Sequence, residues 1–543
     1  MYQAELTQSL FEARHDTPFE PMTIPDLLER KAKERGDSLA IREILGDGAI
    51  GREWSYAGLL SDSERLGRAL AFRHPAGARI AVFANNVPEW VLLEMAVAFA
   101  GLILVTVNPS YGARELRYVL EQSRAEAVYF VPEVRGNARG PIVEEACAGL
   151  LRVRHRILLT DHAALFDGEE RGALRSTGPD DIAQIQYTSG TTGFPKGALL
   201  KQSGLIQNGR DSVGRWGVAA GEQVIVMMPL FHTAGCGILV LGGLANGATL
   251  LLARGFDRKV LARVIARERP EYVLGVPTMI VDLIEEAEST GLDVSSVKSV
   301  LAGGAMVAPE LVAKSRKIFG APIQIVYGQT ETSPLITQGW RDDSEADLSG
   351  TIGQPMPHID VAILDMADSS LCPIDVQGEI CTRGYHVMAG YNDNPEATAR
   401  AIDADGWLHT GDLGTMDSRG YVKITGRVKD MIIRGGENLF PAEIENAMLE
   451  HAAVLEAAVV GIPDDRLGEL VACFMRARAA ERPEPETLKA FIRERLSPQK
   501  TPAFWIWVDQ WPMTGSGKIQ KFALREAFLR GDYGAAENSS RGG

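Results

Sequence analysis

The chain has 543 residues, 45% of them hydrophobic and 23% charged, an ordinary globular composition long enough for at least two domains with separate cores. Its formal net charge of −15 argues against nucleic acid as a partner, because that binding draws on clustered Lys and Arg facing phosphates. Five scattered cysteines (Cys147, Cys236, Cys372, Cys381, Cys473) with no C-x-x-C pair speak against a zinc site and a disulfide framework, and fit a reduced, cytoplasmic setting.

The first residues, M-Y-Q-A-E-L-T-Q-S-L-F-E-A-R, carry acidic side chains and no apolar signal-peptide core, so export is not expected. The longest apolar stretch, Met95 to Val107, is shorter than the roughly 20 residues a bilayer span needs and reads as a buried helix running into a strand. From about Arg79, short β-branched runs (R-I-A-V-F-A, L-I-L-V-T-V, A-V-Y-F-V) alternate with helical patterns, and the alternation resumes through V-I-V-M-M-P, Y-V-L-G-V-P, V-K-S-V-L-A and I-Q-I-V-Y. This predicts an α/β fold: a large N-terminal domain of stacked βαβ units around a mostly parallel sheet. After about Gly350, Gly-punctuated segments such as I-D-V-A-I-L-D and G-Y-V-K-I-T-G predict antiparallel strands in a β-rich lobe. From Pro441 a helix, a strand and further short pieces predict a small C-terminal α+β domain. The expected division is 1–428, 429–530 and a disordered tail over 531–543.

The strongest local signal is Y-T-S-G-T-T-G-F-P-K-G, Tyr187 to Gly197, following the strand-like D-I-A-Q-I-Q. Glycines let backbone approach phosphate, hydroxyls donate to its oxygens, and Lys196 adds positive charge, so the segment reads as a triphosphate cradle. It is not a Walker A loop, because G-x-x-x-x-G-K-[ST] fits neither here nor at Gly517-Lys518, where Ile519 follows the lysine.

This segment resembles the phosphate loop of the adenylate-forming enzyme superfamily. Further matches follow in that family's order: L-A-G-G-A at Leu301 to Ala305, Y-G-Q-T-E at Tyr327 to Glu331, H-T-G-D at His409 to Asp412, G-R-V-K-D-M-I-I-R-G-G-E-N at Gly426 to Asn438, and G-S-G-K-I-Q-K at Gly515 to Lys521. The wording is closest to medium-chain fatty acyl-CoA synthetases. The resemblance implies ATP, Mg²⁺ and coenzyme A, an acyl-adenylate intermediate, and a C-terminal domain that moves between two half-reactions. It implies that Thr188, Ser189, Gly190, Thr191, Thr192 and Lys196 hold phosphates, and that Glu331 with Thr188 holds the metal. Gly303, Gly304 and Ala305 would pass along adenine, and Tyr327, Gly328, Gln329 and Thr330 would line the nucleotide. Asp412 would take the ribose hydroxyls beside Arg427, and Lys518 would bridge substrate carboxylate and α-phosphate. Lys429 corresponds to the hinge, while Gly435, Gly436 and Glu437 lie on the loop that replaces Lys518 in the thioester step, Gly436 lining the thiol channel.

His232, in P-L-F-H-T-A-G, resembles the residue between acyl pocket and adenylate. Thr233, Ala234, Gly235 and Gly237 leave room for an extended tail, and Val276, Pro277, Met279, Pro334 and Leu335 are expected pocket walls, which implies a medium-chain acid. Gln499, in S-P-Q-K-T-P, departs from the aromatic residue of relatives. Two alternatives stay open: a ligase that loads a carrier protein or keeps the adenylate, and a non-enzymatic acyl-nucleotide-binding relative, against which intact Lys518, Glu331 and Lys196 argue. A homodimer is compatible with the sequence.

Overall fold

The computed structural model describes residues 1–188, 195–305, 307, 309–435, 437–478, 482–513 and 519–533, with the side chain of residue 438 left aside. The parallel strands expected from the βαβ alternation divide between two sheets rather than one. In the nine-stranded sheet, Leu39–Ile44, Thr249–Ala253, Gln223–Val226, Tyr272–Gly275, Ser299–Gly303 and Ile323–Gly328 run parallel in that spatial order. Antiparallel strands finish both edges: Ile50–Ser55 on one, Leu335–Gln338 and Gln354–Pro355 on the other. The seven-stranded sheet places His155–Leu158, Ala127–Phe130, Arg79–Phe83, Ile103–Thr106 and Ile182–Thr188 parallel, then adds Lys196–Lys201 and Gly390–Tyr391 antiparallel.

The sequence makes this pairing of sheets possible through one helix. Pro88–Phe99 is apolar except for Glu89 and Glu94 and all of it is buried, whereas a surface helix would show a polar face. Trp90 and Val97 of this helix share one apolar core with Ile80 and Leu104 of the seven-stranded sheet and Val224 and Val273 of the nine-stranded sheet. Strands buried on both faces, such as T-L-L-L-A over Thr249–Ala253, read as continuous apolar runs for the same reason.

A five-stranded antiparallel sheet forms the expected lobe, in the order Leu10–Phe11, Ile359–Leu364, Gly378–Gly384, Leu408–Met416, Val422–Arg427. The C-terminal sheet joins Glu437–Leu439, Ile432–Arg434, Gly468–Ala477 and Val454–Asp464 in antiparallel pairs, with Phe504–Trp507 parallel to Gly468–Ala477. Apolar clusters cover both of its faces, one under the helix Pro441–Leu449 and one under Lys521–Arg530. Between the last lobe strand and this sheet the chain makes a single 3₁₀ turn, Val428–Asp430. No helix among the described residues is long and apolar enough to cross a membrane.

A buried polar ladder fixes the strand that leads into the phosphate loop. Gln184 donates to Glu94 Oε1 at 2.6 Å, Gln186 donates to Gln184 Oε1 at 2.8 Å and to Cys236 Sγ at 3.2 Å, and Cys236 donates to the His232 carbonyl at 3.3 Å. The ladder ties the strand Ile182–Thr188 to the helix Pro88–Phe99 and to the π-helix Ala234–Gly242. Burial pushes the Glu94 carboxyl well above its ordinary range, only partly opposed by Gln184, so the acid form is favoured. Above the unfolded value of about 4.3 the folded state keeps a proton that the unfolded state loses, so this residue makes stability fall as pH rises, by up to about 1.4 kcal/mol per pH unit until the folded pKa is passed. Glu94→Gln should retain the fold and flatten that decline; equilibrium unfolding of both proteins from mildly acidic to alkaline pH measures it, and identical slopes would contradict a neutral Glu94.

Candidate active site

Ligands of open α/β sheets bind beyond the carboxyl ends of the strands, and the predicted site residues collect at that edge. Val226, Gly275, Gly303 and Gly328 close neighbouring parallel strands at one end of the nine-stranded sheet. Gly303 ends its strand, and Gly304 and Ala305 continue from it as exposed loop. The loop after Val226 is fixed from below by Asn86, which donates to the Met228 carbonyl at 2.9 Å and accepts from the Leu230 amide at 2.9 Å. That clamp places His232, whose ring lies 5.0 Å from Phe231 and whose carbonyl accepts the Gly235 and Cys236 amides.

The phosphate segment is anchored by the other sheet. Thr188 and Lys196 are register partners on antiparallel strands, so they stand opposite each other at the two ends of the intervening loop. Ser189, Gly190, Thr191 and Thr192 lie outside the described residues. The Y-G-Q-T-E segment meets this point: Glu331, 8% exposed, accepts from Thr188 Oγ1 at 3.3 Å and from Tyr391 Oη at 2.8 Å. Lys196 Nζ sits 5.0 Å from the centroid of the Tyr391 ring, a cation–π distance. Burial first, and then the Glu331 charge, raise the Tyr391 phenol far above its usual pKa, which keeps it a donor. Tyr391 was not singled out from sequence. Its signal there is faint, an aromatic after Gly390 at the end of the run R-G-Y-H-V-M-A-G-Y, Arg383 to Tyr391.

A second cluster forms at the other end of the same segment. Tyr327 Oη donates to Asp412 Oδ2 at 2.8 Å, and Arg427 Nε pairs with Asp412 Oδ1 at 2.8 Å. Asp412 and Arg427 are cross-strand partners. Burial works against the Arg427 charge, but Asp412 and Asp430 outweigh it and raise its pKa. A β-bulge aims Asp412: Glu379 pairs with Leu413 and Cys381 with His409, so Thr410, Gly411 and Asp412 on one strand oppose Ile380 alone on the other. Gly411 occupies the extra length at φ +72°, a left-handed conformation that favours glycine, and its amide donates to Glu379 Oε1 at 2.9 Å. The T-G-D spelling is thus the spelling of a bulge that delivers a carboxylate.

Between the clusters, Gln329 caps the 3₁₀ turn Thr330–Thr332, with its amide on Thr332 Oγ1 at 3.1 Å. Asn208 then holds Leu335 through both backbone groups, at 2.9 Å each. Pro334 and Leu335 are buried there, and a Cβ added at Gly237 would stand 3.9 Å from both Pro334 Cδ and Thr233 Cβ, so the π-helix start and the Pro334 turn face one another closely. Val276 caps the helix Pro277–Thr290, with Pro277 and Met279 partly exposed in its first turn. One predicted contributor is corrected: Gly235 opens no room for a tail, because a Cβ there would lie 2.3 Å from the Pro229 carbonyl oxygen. Its side is filled by backbone.

In the C-terminal part, Lys429 lies exposed within the 3₁₀ turn, and Gly435 (φ +60°) and Glu437 belong to the tight hairpin Ile432–Leu439. Gly436 and Lys518 lie outside the described residues. Gln499 donates to Glu437 Oε1 at 3.2 Å through its side-chain amide, the one contact an aromatic could not make, while its main-chain carbonyl accepts from Arg434. Two surface cavities of about 430 and 440 Å³ meet at His162 and share none of these residues; the second is walled by Arg52, which is already paired with Glu43 and Glu89.

Comparison with known proteins agrees with this geometry. Residues 28–392 match the family model described as AMP-binding enzyme, and residues 443–518 match that of the AMP-binding enzyme C-terminal domain. The chain is 36% identical over 488 residues to the mitochondrial medium-chain acyl-CoA ligase ACSF2 of Homo sapiens, covering 84% of this chain and 79% of that one. The crystal structure of ATP-bound MatB from Rhodopseudomonas palustris superposes with a TM-score of 0.83 at 28% identity, covering 93% of this chain and 99% of the other. The o-succinylbenzoate CoA synthetase of Bacillus subtilis in complex with its acyl-adenylate gives 0.80 at 26% identity, over 92% and 98%. The chain belongs to the AMP-binding enzyme family and stands among its AMP-forming acid–CoA ligases.

Proposed function

We propose that this chain is an ATP-dependent acyl-CoA synthetase for medium-chain fatty acids. The observation that carries the proposal is the segment Tyr327–Glu331: one end bonds the carboxylate of Asp412 and the other places Glu331 beside Thr188 and Tyr391, whose ring Lys196 faces. A triphosphate at Thr188 and Lys196 and a ribose at Asp412 would be held by a single short stretch of chain.

In the first half-reaction a carboxylate oxygen of the acid attacks the α-phosphorus of ATP, the bond to the β-phosphate oxygen breaks, and diphosphate leaves. Two anions must be brought together, so the residues supply positive potential and donors. Thr188 and the loop of Ser189 to Thr192 donate to phosphate oxygens beside Lys196, while Asp412 accepts from the ribose hydroxyls with Arg427 alongside. Gly303, Gly304 and Ala305 pass along the adenine, and Lys518 bridges the carboxylate and α-phosphate. Glu331 fits Mg²⁺, since its buried carboxylate with the Thr188 and Tyr391 hydroxyls offers the hard oxygen donors this cation takes. When bound, the metal supplies charge neutralisation at phosphate oxygens. In the second half-reaction the thiol sulfur of coenzyme A attacks the acyl carbon and AMP leaves. The five cysteines, all buried and free, support a reducing, cytoplasmic setting.

The acid class rests on a proposed pocket with Val276, Met279, Pro334 and Leu335 as apolar walls, Thr233, Ala234 and Gly237 as small residues and His232 at the mouth, supported by the close approach of Pro334 to Gly237. The medium-chain wording of the human relative's name supports it. We further propose a division at 428/429 with Lys429 as hinge, supported by the change of sheet across Val428–Asp430.

AMP release measured with and without coenzyme A across a panel of acids tests the whole reading. Activity should depend on coenzyme A and climb from acetate to mid-length straight chains by about fourfold per methylene, the equivalent of ~0.8 kcal/mol per buried CH₂. Ala234→Trp should move the optimum to shorter acids. An acetate or benzoate optimum would remove the medium-chain assignment, and AMP release indifferent to coenzyme A would remove the synthetase. Glu331→Gln should shift the Mg²⁺ titration of adenylation to higher concentration by at least about tenfold, roughly one charge-assisted interaction; an unchanged titration would place the metal elsewhere. Lys429→Pro fixes φ near −65° at the turn. Diphosphate exchange should stay near wild type while thioester formation falls by orders of magnitude, and equal rates for both would dismiss the hinge.

A further inference from the structure

The bulge that delivers Asp412 has a back side with its own chemistry. Cys381 and His409 are cross-strand partners, and Glu379 stands two residues from Cys381 on the same strand, so all three project from one face of the lobe sheet. One atom from each lies within 4.8 Å of the others, the single such group of His, Cys, Asp and Glu among the described residues. His409 Nδ1 is 2.8 Å from Glu379 Oε2 and 3.5 Å from Cys381 Sγ. Its Nε2 points the other way, 3.6 Å from Asp403 Oδ2.

A neutral imidazole carries one proton. In the metal-free protein the 2.8 Å contact puts that proton on Nδ1, donated to Glu379 Oε2, since Asp403 Oδ2 at 3.6 Å is beyond hydrogen-bond distance. A cation in place of this proton would meet three atoms of three ligand types, and the proton would pass to Nε2, on the side of the Asp403 carboxylate, where such a group can orient a metal-bound histidine. We propose that Glu379, Cys381 and His409 bind one thiophilic divalent cation of the zinc type, with Asp403 orienting the histidine.

Ligation forms bonds from the metal to Cys381 Sγ, His409 Nδ1 and a Glu379 oxygen, releases the thiol proton to solvent, and leaves a fourth tetrahedral position for water. Two negative ligands then balance the two charges of the ion. Entry is from the side of His409 and Asp403, whose side chains are 24% and 33% exposed, since Cys381 is fully buried against Ala362 and Leu364. Glu379 keeps its other oxygen on the Gly411 amide, so the ion would sit directly behind the bulge. Cysteine spacing could not reveal such a site, because its ligands come from two strands and include a single cysteine.

The test is anaerobic titration of the full chain with Co²⁺, followed by displacement with Zn²⁺. The wild type should develop a thiolate-to-cobalt charge-transfer band that saturates at one equivalent and disappears on adding Zn²⁺. Cys381→Ser should lose the band, and Glu379→Gln should weaken Co²⁺ binding by about tenfold or more. Absence of the band in the wild type, or its persistence in Cys381→Ser, overturns the proposal. X-ray absorption at the zinc edge of the wild-type complex gives a reading that needs no variant: one sulfur at about 2.3 Å among nitrogen and oxygen neighbours near 2.0 Å supports the site, and a shell without sulfur refutes it.

Discussion

A carboxylate withdrawn from water must be surrounded by donors or cations, and the placement of Glu331 and Asp412 obeys that constraint throughout. Both are buried, and both belong to the site proposed for the nucleotide. Their donors come from three sheets. Thr188 ends a strand of the seven-stranded sheet, Tyr391 belongs to its edge, Tyr327 stands next to last in a strand of the nine-stranded sheet, and Arg427 closes the last strand of the lobe. No single sheet could satisfy them, so the site exists only at the convergence.

This explains a detour in the chain. Between the lobe strands Gly378–Gly384 and Leu408–Met416 the backbone leaves the lobe and adds Gly390–Tyr391 to the edge of the seven-stranded sheet. The excursion is secured by backbone: the Met388 amide donates to the Glu331 carbonyl at 2.9 Å and the Asn392 amide to the Gly197 carbonyl at 2.7 Å. The strand is two residues long, and what it delivers is the Tyr391 hydroxyl.

Much of the site is legible in the sequence because its chemistry demands unusual residue types in loops. Phosphate needs glycine, hydroxyl and lysine together, and a bulge that carries a carboxylate needs glycine at Gly411. The parallel strands are legible from their apolar runs. Which sheet each joins is not, because Leu10–Phe11 and Leu39–Ile44 find partners some 200 to 350 positions away, Leu10 with Ala362 and Ile41 with Leu250. Tyr391 escapes notice for a related reason: a lone aromatic reads as core until the fold sets Glu331 beside it. Gly235 misleads in the opposite sense, since a small residue looks like open space but here accommodates the Pro229 carbonyl.

The anchoring of Arg427 bears on how a mobile C-terminal domain could serve two steps. Arg427 is tied to Asp412, and the very next residue begins the turn that leaves the lobe, so the fixed side of the proposed hinge ends at the Asp412 carboxylate itself. On the moving side the hairpin Ile432–Leu439 is stiffened from without, by Arg434 and Glu437 both bonded to Gln499 and by the Gly435 amide on the Leu467 carbonyl at 2.7 Å. A rotation confined to Val428–Asp430 would therefore carry the hairpin as a rigid piece while leaving the Asp412–Arg427 pair undisturbed. Rigid parts on both sides of one short turn are what a domain needs if it is to exchange one loop for another at a site that must keep hold of its adenylate.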